Sequence, residues 1–389
     1  MKVLILLSGR FPTEKAYGVT TTGTIKSLIK FGHDVHVFAL SSEYEDGSIP
    51  SPFYSQHLYK ENILTSSLKR YSFAGLSVSH KIAWKLFWLI TLKLNSREIN
   101  MINADILWTR DGFGLEVNSR GARCLIELHN LPSAKITRLL KNRNRSQKYT
   151  FAPISKSLNF SLVSLNSNAN VVLAPMGIDD QNLKSKESIS RYVSRITAMK
   201  ISEPIRVGYV GKFAPNGYSK GIEDLLKFAE WGKELGRPYN ISIVGGTPTE
   251  VLNLESQLKK YSLQRVDVMI SGHLIHSDAL KVLADFDVIV LPKPASETYL
   301  GFPLKAIESI ATGRIVIAAD CKIYRDIFCG QFEPFWYSPG NPESMNIAIT
   351  SAVTNSNLEV KLLAGIDFAA DFTWERRTER ILERLSTVP

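Results

Sequence analysis

Ile205-Arg-Val-Gly-Tyr-Val-Gly211 is a short β-rich run that ends in glycine, and Lys212-Phe-Ala-Pro-Asn-Gly-Tyr218 follows it as a loop. Ser219-Lys220-Gly221 then opens an amphipathic segment that continues to Glu234. The order is strand, loop and helix start. At such a junction the free backbone N–H groups and the helix dipole favour an anion, and two lysines add positive charge. The stretch predicts an α/β sheet with a diphosphate site at its edge.

A second junction of the same kind lies downstream. Asp287-Val-Ile-Val-Leu291 is an apolar strand, a loop runs from Pro292 to Gly301, and a helical run extends from Phe302 to Ala311. Glu308 lies one or two turns inside this helix, where its carboxylate can face the crevice above the strand ends. The alternative is that Glu308 is a helix carboxylate that faces solvent.

Strands alternate with helices along the whole chain, which predicts parallel sheets built from βαβ units. A chain of 389 residues exceeds the size of a single core, so we expect two domains, residues 1–180 and 181–370. The polar stretch 180–188 is the best linker candidate, and the segment from Phe372 to Leu385 has the pattern of an amphipathic helix. The expected strands are Val3–Leu7, Val35–Ala39, Ile106–Trp108, Cys124–Leu128, Val171–Ala174, Ile205–Val210, Ile241–Val244, Val266–Ile270, Val288–Leu291 and Ile315–Ala318.

Composition is that of an ordinary globular protein, with 44% apolar and 22% charged residues. No apolar stretch approaches the roughly 20 residues that span a bilayer, and the apolar start is typical of a first buried strand rather than a signal peptide. Three cysteines without metal-ligand spacing predict neither a disulfide framework nor a zinc site. We therefore expect a cytoplasmic protein without a bound metal.

Positive charge is concentrated in the first half. Residues 1–180 carry 22 Lys/Arg and 13 Asp/Glu, a net charge of +9, whereas residues 181–389 carry 25 and 24. This asymmetry predicts an anionic partner or an anionic membrane surface. The aromatic and basic run Lys81–Lys93 fits either a buried core helix or a helix in the headgroup layer. The basic run Arg138–Lys148, which includes Arg143, suits phosphate headgroups. Nucleic acid is not expected, because no recognised binding module is present.

Several motifs occur in the order and spacing of the retaining glycosyltransferases of family four, and the chain resembles that family over most of its length. The resembling motifs are Gly32-His-Asp-Val35, Glu127-Leu-His129, Pro175-Met-Gly-Ile-Asp179, Gly211-Lys212 with Lys220-Gly221, Ala284-Asp-Phe-Asp-Val-Ile-Val-Leu-Pro292, and Gly301-Phe-Pro-Leu-Lys-Ala-Ile-Glu308 with Ala311-Thr-Gly313.

The resemblance implies a GT-B fold, in which two Rossmann-like domains face each other across a deep cleft and residues 371–389 cross back to the first domain. It implies that Glu308 holds the ribose hydroxyls of a nucleotide-sugar donor. Lys212 and Lys220 would stabilise the leaving diphosphate without a metal cofactor. The resemblance also implies a front-face mechanism in which the leaving phosphate accepts the acceptor's proton, so that no protein nucleophile is required. The other donor-binding residues would be Gly211, Ser219, Gly221, Gly301, Phe302, Pro303, Leu304 and Lys305.

One departure from the family pattern concerns the donor sugar. The family usually has a first glutamate eight positions before the second, but this chain has Leu300 there. Glu297 is the nearest carboxylate, and it either reaches the donor sugar or lies in an exposed loop. Lys305 partly fills the gap.

Five residues in the first half are further candidates, Gly18 and His129 by the same resemblance and three arginines by position and charge. Gly18, in a glycine- and hydroxyl-rich loop from Ala16 to Gly23, would approach the donor diphosphate, or the loop is a helix start capped by threonines. His129 follows a strand and would bind the donor sugar or position the acceptor hydroxyl, unless it is structural. Arg110, with Arg138 and Arg143, would bind the acceptor.

The sequence thus predicts an enzyme that moves a sugar from a nucleotide-sugar donor to a glycan or lipid-linked glycan, in cell-surface polysaccharide synthesis. It would work in the cytoplasm, with peripheral contact to the inner face of the plasma membrane. Two alternatives stay open: a nucleotide-sugar epimerase of the same fold, and a non-catalytic nucleotide- or sugar-binding protein.

Overall fold

The computed structural model describes residues 1–11, 16–40, 63–65, 86, 88–110, 115, 121–214, 220–233, 238–264, 267–294, 302–328 and 332–387. Contacts divide the chain into two compact units. Unit 1 comprises Met1–Gly177, Leu300–Phe302 and Trp374–Pro389, and unit 2 comprises Ile178–Tyr299 and Pro303–Thr373.

Unit 1 is a parallel sheet of seven strands in the order β3-β2-β1-β4-β5-β6-β7. Residues Val3–Leu7 of the central strand are all buried, because helices cover both faces of such a sheet. The strands are β1 Lys2–Arg10, β2 Asp34–Leu40, β3 Ile63–Thr65, β4 Ile106–Thr109, β5 Arg123–Leu128, β6 Tyr149–Pro153 and β7 Asn170–Val171. The helices are α1 Ala16–Lys30, α2 Ser96–Met101, α3 Ala134–Lys141, α4 Arg143–Ser146, α5 Lys156–Leu165 and, from the end of the chain, α14 Trp374–Ser386.

Unit 2 is a parallel sheet of six strands in the order β10-β9-β8-β11-β12-β13. Its strands are β8 Ile205–Val210, β9 Tyr239–Gly246, β10 Val268–Gly272, β11 Val288–Leu291, β12 Ile315–Ala319 and β13 Phe335–Tyr337. Its helices are α6 Lys186–Ala198, α7 Glu223–Gly232, α8 Pro248–Gln257, α9 His276–Asp285, α10 Leu304–Ala311, α11 Lys322–Phe328, α12 Pro342–Val353 and α13 Leu358–Ala370. Short 3-10 turns lie at Asp180–Asn182 and Leu258–Tyr261.

Both sheets have the doubly wound order of dinucleotide-binding folds. The strand order reverses between β1 and β4 in unit 1 and between β8 and β11 in unit 2. Ligands of such sheets bind outside the carboxyl ends of the strands at the reversal. The loops that follow these central strands are therefore where functional side chains should be sought.

The predicted linker at residues 180–188 is wrong. Helix α6 already begins at Lys186, and the Lys184 N–H donates a hydrogen bond to the Ala311 carbonyl at 3.1 Å. Ile189, Tyr192 and Ile196 of α6 are buried in unit 2. The polar sequence reflects one exposed side of a helix rather than a free connection.

Helix α14 contributes to the core of unit 1. Its Trp374 ring packs directly on Gly23 and Gly177, where a larger side chain would clash. Ile381 and Leu385 join the cluster around the central strands, and Arg377 on the same side is completely buried. The last residues of the chain thus complete the first sheet's packing.

The described part of the run Lys81–Lys93 is helical at residues 88–94 and has two different faces. Trp88 and Leu92 are buried against Leu4 and Leu6, whereas Ile90 and Leu94 are 55% and 70% exposed. Of the two interpretations left open by the sequence, a helix buried on all sides does not describe these residues. Within the described part of the chain, no helix combines the length and apolarity needed to span a bilayer.

Candidate functional site

The loop after β8 is held by three contacts. The Tyr209 hydroxyl donates to the Lys212 carbonyl at 2.8 Å, and Glu250, in the first turn of α8, accepts from the Ala214 N–H at 2.9 Å. The Lys220 N–H donates to the Phe213 carbonyl at 3.1 Å and closes the loop. Lys212 and Lys220 are thus anchored at the base of one loop, as the sequence predicted.

Gly221 needs to be glycine for two reasons. Its φ of +75° disfavours other residues, and a Cβ there would lie 3.0 Å from the backbone of Lys293. The segment Lys220-Gly221 therefore lies against the end of β11, at the reversal of strand order. Lys293 is buried at this edge and was not predicted from the sequence. Ser219 lies outside the described residues.

The sequence predicted a helix that opens at Ser219-Lys220-Gly221 and favours an anion at its start. Helix α7 instead begins at Glu223, two residues after Gly221. Its first turn carries Glu223 and Asp224. Asp224 is buried and accepts a hydrogen bond from the Tyr337 hydroxyl at 2.9 Å. Two acidic residues offset the helix dipole, so the lysines rather than the helix end supply the positive charge at this edge.

Glu308 lies in α10 and is 4% exposed. His276, the first residue of α9, contacts Oε1 through Nε2 at 2.6 Å, and Lys305 Nζ lies 3.5 Å from Oε2. Burial raises the pKa of Glu308, but the charge of Lys305 and the hydrogen bond from His276 outweigh it and lower the pKa to about 2. Glu308 is thus a buried, ionised carboxylate at physiological pH, and not a helix carboxylate in solvent.

Lys305 connects Glu308 to the loop after β8. A Cβ on Gly211 would lie 3.1 Å from Lys305 Cδ and 2.6 Å from the Tyr209 hydroxyl, so the lysine stem passes directly over Gly211. Around the start of α10, Phe302 is buried, Pro303 is the N-cap residue and Leu304 is the first helical residue. Glu297, Leu300 and Gly301 lie outside the described residues.

In unit 1, Arg110 follows β4 and His129 follows β5, the neighbouring strand. Glu127 joins them: Arg110 Nε lies 3.2 Å from Oε1, and the His129 ring contacts the same oxygen through Nε2. Glu127 Oε2 accepts from Trp108 Nε1 at 3.0 Å and pairs with Arg377 Nη2 at 2.7 Å. The two predicted residues are therefore brought together by a carboxylate between them.

The predicted loop around Gly18 is wrong. Helix α1 already begins at Ala16, so Gly18 lies buried in its first turn. Thr20 to Thr22 are buried along the helix instead of capping it, and the Thr20 hydroxyl accepts from Arg110 Nη2 at 3.0 Å. A contact with a residue distant in sequence thus binds the Thr20 hydroxyl, which the local pattern does not reveal.

Arg138 is exposed on α3, next to the C-terminal end of that helix. The side chain of Arg143 lies outside the described residues. The structure therefore places Arg138 where a soluble or membrane phosphate could reach it, without joining it to Arg110 or His129.

Four residues of the two clusters were missed by sequence reasoning: Glu127, His276, Lys293 and Arg377. A usable signal existed for two of them. Glu127 is a carboxylate within the apolar run Leu125–Leu128, and Arg377 lies on the apolar stripe of α14, so each needed a buried partner. Among the described residues, no three His, Cys, Asp or Glu side chains are grouped as metal ligands would be.

Comparison with known proteins identifies the second half of the chain. Residues 190–364 match the family model of the glycosyl transferases group 1. No curated protein sequence matches the chain. The predicted resemblance to glycosyltransferases is thus confirmed for residues 190–364, as a match to the glycosyl transferases group 1.

Solved structures are similar over the whole length. The sucrose-phosphate synthase of Thermosynechococcus elongatus has a TM-score of 0.68 at 16% identity, covering 98% of both chains. A glycosyltransferase from Rickettsia africae has a TM-score of 0.68 at 16% identity, covering 100% of this chain and 98% of its own. Anabaena HepE in complex with UDP and glucose has a TM-score of 0.61 at 15% identity, covering 100% of both. At these identities the likeness establishes the fold, which is the predicted α/β GT-B fold.

Proposed function

We propose that this protein is a retaining glycosyltransferase that moves a sugar from a nucleotide-sugar donor to a glycan or lipid-linked glycan acceptor in cell-surface polysaccharide synthesis. The observation that carries the proposal is the arrangement around Glu308. A carboxylate has about four lone-pair positions, and two described donors, His276 and Lys305, contact Glu308. Two acceptor positions can then bind the two hydroxyls of a ribose.

The neighbouring lysines support the same reading. Lys212, Lys220 and Lys305 lie at one edge of the unit 2 sheet, around Gly211 and Gly221. Breaking a sugar–diphosphate bond builds negative charge on the leaving diphosphate, and fixed cations stabilise that charge. We propose that these lysines perform this task without a metal ion, and that His129 in unit 1 binds a sugar hydroxyl.

Nucleotide binding is the first test. Titration calorimetry with UDP, GDP and ADP should give one clear binder, and UDP comes first because it is bound in Anabaena HepE. Lys220→Ala should weaken that binding and abolish sugar transfer. Lys233→Ala is the matched control, because Lys233 follows the other end of α7 and pairs with Asp267 at 2.9 Å. Equal binding by both variants and the parent would place the pocket elsewhere.

Product analysis separates the proposal from its alternatives. A transferase releases nucleoside diphosphate only when an acceptor extract is present. An epimerase changes the nucleotide sugar without an acceptor, and a binding protein changes nothing. Leu300, in place of the first family glutamate, makes the last outcome worth testing directly.

We further propose that unit 1 contacts an anionic membrane or a lipid diphosphate acceptor. Leu86, Ile90 and Leu94 recur every fourth residue and are exposed, and Lys93 and Arg97 beside them are also exposed. Such a helix can lie in the headgroup layer. Flotation with anionic vesicles should be reduced by Ile90→Ser with Leu94→Ser, and neutral vesicles should bind neither protein. Equal flotation of variant and parent would contradict the contact.

A further inference from the structure

Glu127 is surrounded by four protein groups. Trp108 and His129 form hydrogen bonds with its carboxylate, and Arg110 and Arg377 form ion pairs with it. Burial raises the pKa of Glu127, but the charges of Arg377 and Arg110 outweigh burial and hold the pKa well below its ordinary value. Glu127 is therefore a buried, charged acceptor enclosed by protein groups.

The charge on Glu127 determines which nitrogen of His129 carries the proton. A charged carboxylate only accepts hydrogen bonds, so the Nε2 that faces it must be protonated. Burial and the charge of Arg110 lower the pKa of His129, against the opposing effect of Glu127. The ring is thus neutral at pH 7, and its Nδ1 is a hydrogen-bond acceptor.

Arg377 holds the carboxylate of Glu127 in one orientation. Its guanidinium is completely buried and donates to the Ala174 carbonyl at 3.4 Å and to the Thr24 hydroxyl at 3.3 Å, besides pairing with Oε2 of Glu127. The planar fork of an arginine sets direction as well as charge. Helix α14, which carries Arg377, therefore helps to set the orientation of Glu127 at the carboxyl end of the unit 1 sheet.

We propose that Glu127 and Arg377 are positioning residues that fix His129 as the Nε2-protonated tautomer, so that Nδ1 accepts a hydrogen bond from a sugar hydroxyl. The role of that hydrogen bond rests on the proposed transferase function, whereas the tautomer does not. Neither Glu127 nor Arg377 needs to touch substrate. A neutral His129 ring does not repel the nearby guanidinium groups of Arg110 and Arg377. Its Nδ1 can therefore orient a hydroxyl by accepting a hydrogen bond from it.

Nitrogen NMR of the histidine rings tests the tautomer directly on the full-length protein. In protein labelled with nitrogen-15 histidine, the signals lost in His129→Asn identify this ring among the seven. In the parent we expect a protonated Nε2 and an unprotonated Nδ1 at pH 7. In Glu127→Gln the carboxamide can donate or accept, so the tautomers should mix. A protonated Nδ1 in the parent, or an unchanged tautomer in Glu127→Gln, would overturn the proposal.

Two further variants keep the test decisive if Glu127→Gln folds poorly. Arg377→Lys keeps the charge but loses the fork, and it should also mix the tautomers. Asp287→Asn is the matched control, because Asp287 is a buried carboxylate paired with Arg195 and Arg206 in unit 2, whereas His129 belongs to unit 1. It should reduce stability and leave the His129 signals unchanged; movement of those signals would contradict the assignment.

Kinetics supply the second readout. Misplacement of His129 should lower kcat by about 10²-fold in folded Glu127→Gln, with the donor KM nearly unchanged. A change in KM alone would contradict a positioning role. Nucleotide binding and turnover of the parent test the proposed function separately, so failure of one proposal is distinguishable from failure of the other.

Discussion

Each compact unit buries one glutamate beside a histidine, Glu127 with His129 and Glu308 with His276, but the two carboxylates have different surroundings. Four protein donors contact Glu127, and two of them are arginines. Two described donors contact Glu308, and the lysine among them is 3.5 Å away. We propose that the first carboxylate acts through its protein neighbours and that the second binds a ligand. Burial and charge alone do not distinguish these two roles.

The largest effect on stability should follow from removing Arg377, one of the groups that surround Glu127. Arg377→Met leaves Glu127 charged and only partly compensated in the core, and breaking a buried pair costs about 3–5 kcal/mol of unfolding free energy. Differential scanning calorimetry should show a large fall in Tm. Arg376→Met is the control on the next residue, since Arg376 is exposed and pairs with Glu379 at 3.2 Å, and such pairs contribute little. Similar Tm values for both variants would remove the distinction.

Mutation of Glu308 should change the affinity for nucleoside diphosphates. Glu308→Gln removes a charged acceptor of ribose hydroxyls, and hydrogen bonds to charged groups are worth about 1.5–3 kcal/mol. Titration calorimetry should therefore show nucleoside diphosphate affinity reduced by at least tenfold, in line with about 1.4 kcal/mol for each factor of ten. Asp287→Asn, at the opposite edge of the same sheet, should keep the parent affinity. An undiminished affinity in Glu308→Gln would make Glu308 structural like Glu127.

A smaller effect should appear in the pH dependence of stability. The pKa of Glu308 is lowered to about 2, so its contribution to stability is complete above the ordinary glutamate pKa, near 4.3, and is lost as pH falls through the native value. The Tm difference between the parent and Glu308→Gln should shrink as pH falls from 5 to 3. Lys305→Met should weaken this dependence, because it removes the charge that lowers the pKa most. A Tm difference independent of pH would contradict the assignment.

The smallest effect should be that of metal removal. If Lys212 and Lys220 supply the positive charge at the proposed diphosphate site, transfer should be unchanged after EDTA treatment. Initial rates before and after chelation measure this. Loss of activity that Mg²⁺ or Mn²⁺ restores would show that the lysines do not suffice.

The unit 2 cluster was largely predictable because its parts are local. Lys212 and Lys220 follow one strand, next to glycines, and Glu308 lies in the helix after another strand. In a parallel sheet these positions come to the same edge. The unit 1 cluster was not predictable in the same way. Glu127 meets Arg377 from the far end of the chain, and no spacing rule links them.

The errors have the same origin. The threonines of α1 and the polar residues before α6 have the local composition of a cap and a linker. Instead, the Thr20 hydroxyl is bound by Arg110, and the Lys184 N–H donates to the Ala311 carbonyl. Long-range contacts decided both outcomes against local propensity.

The position of Arg377 near the end of the chain also has a consequence during synthesis. Domains generally fold as they leave the ribosome, N-terminal first. Arg110 can pair with Glu127 as soon as the first sheet has been made, but the fully buried Arg377 becomes available only after unit 2 has been translated. The core of unit 1 is therefore complete only when the last helix of the chain has been made.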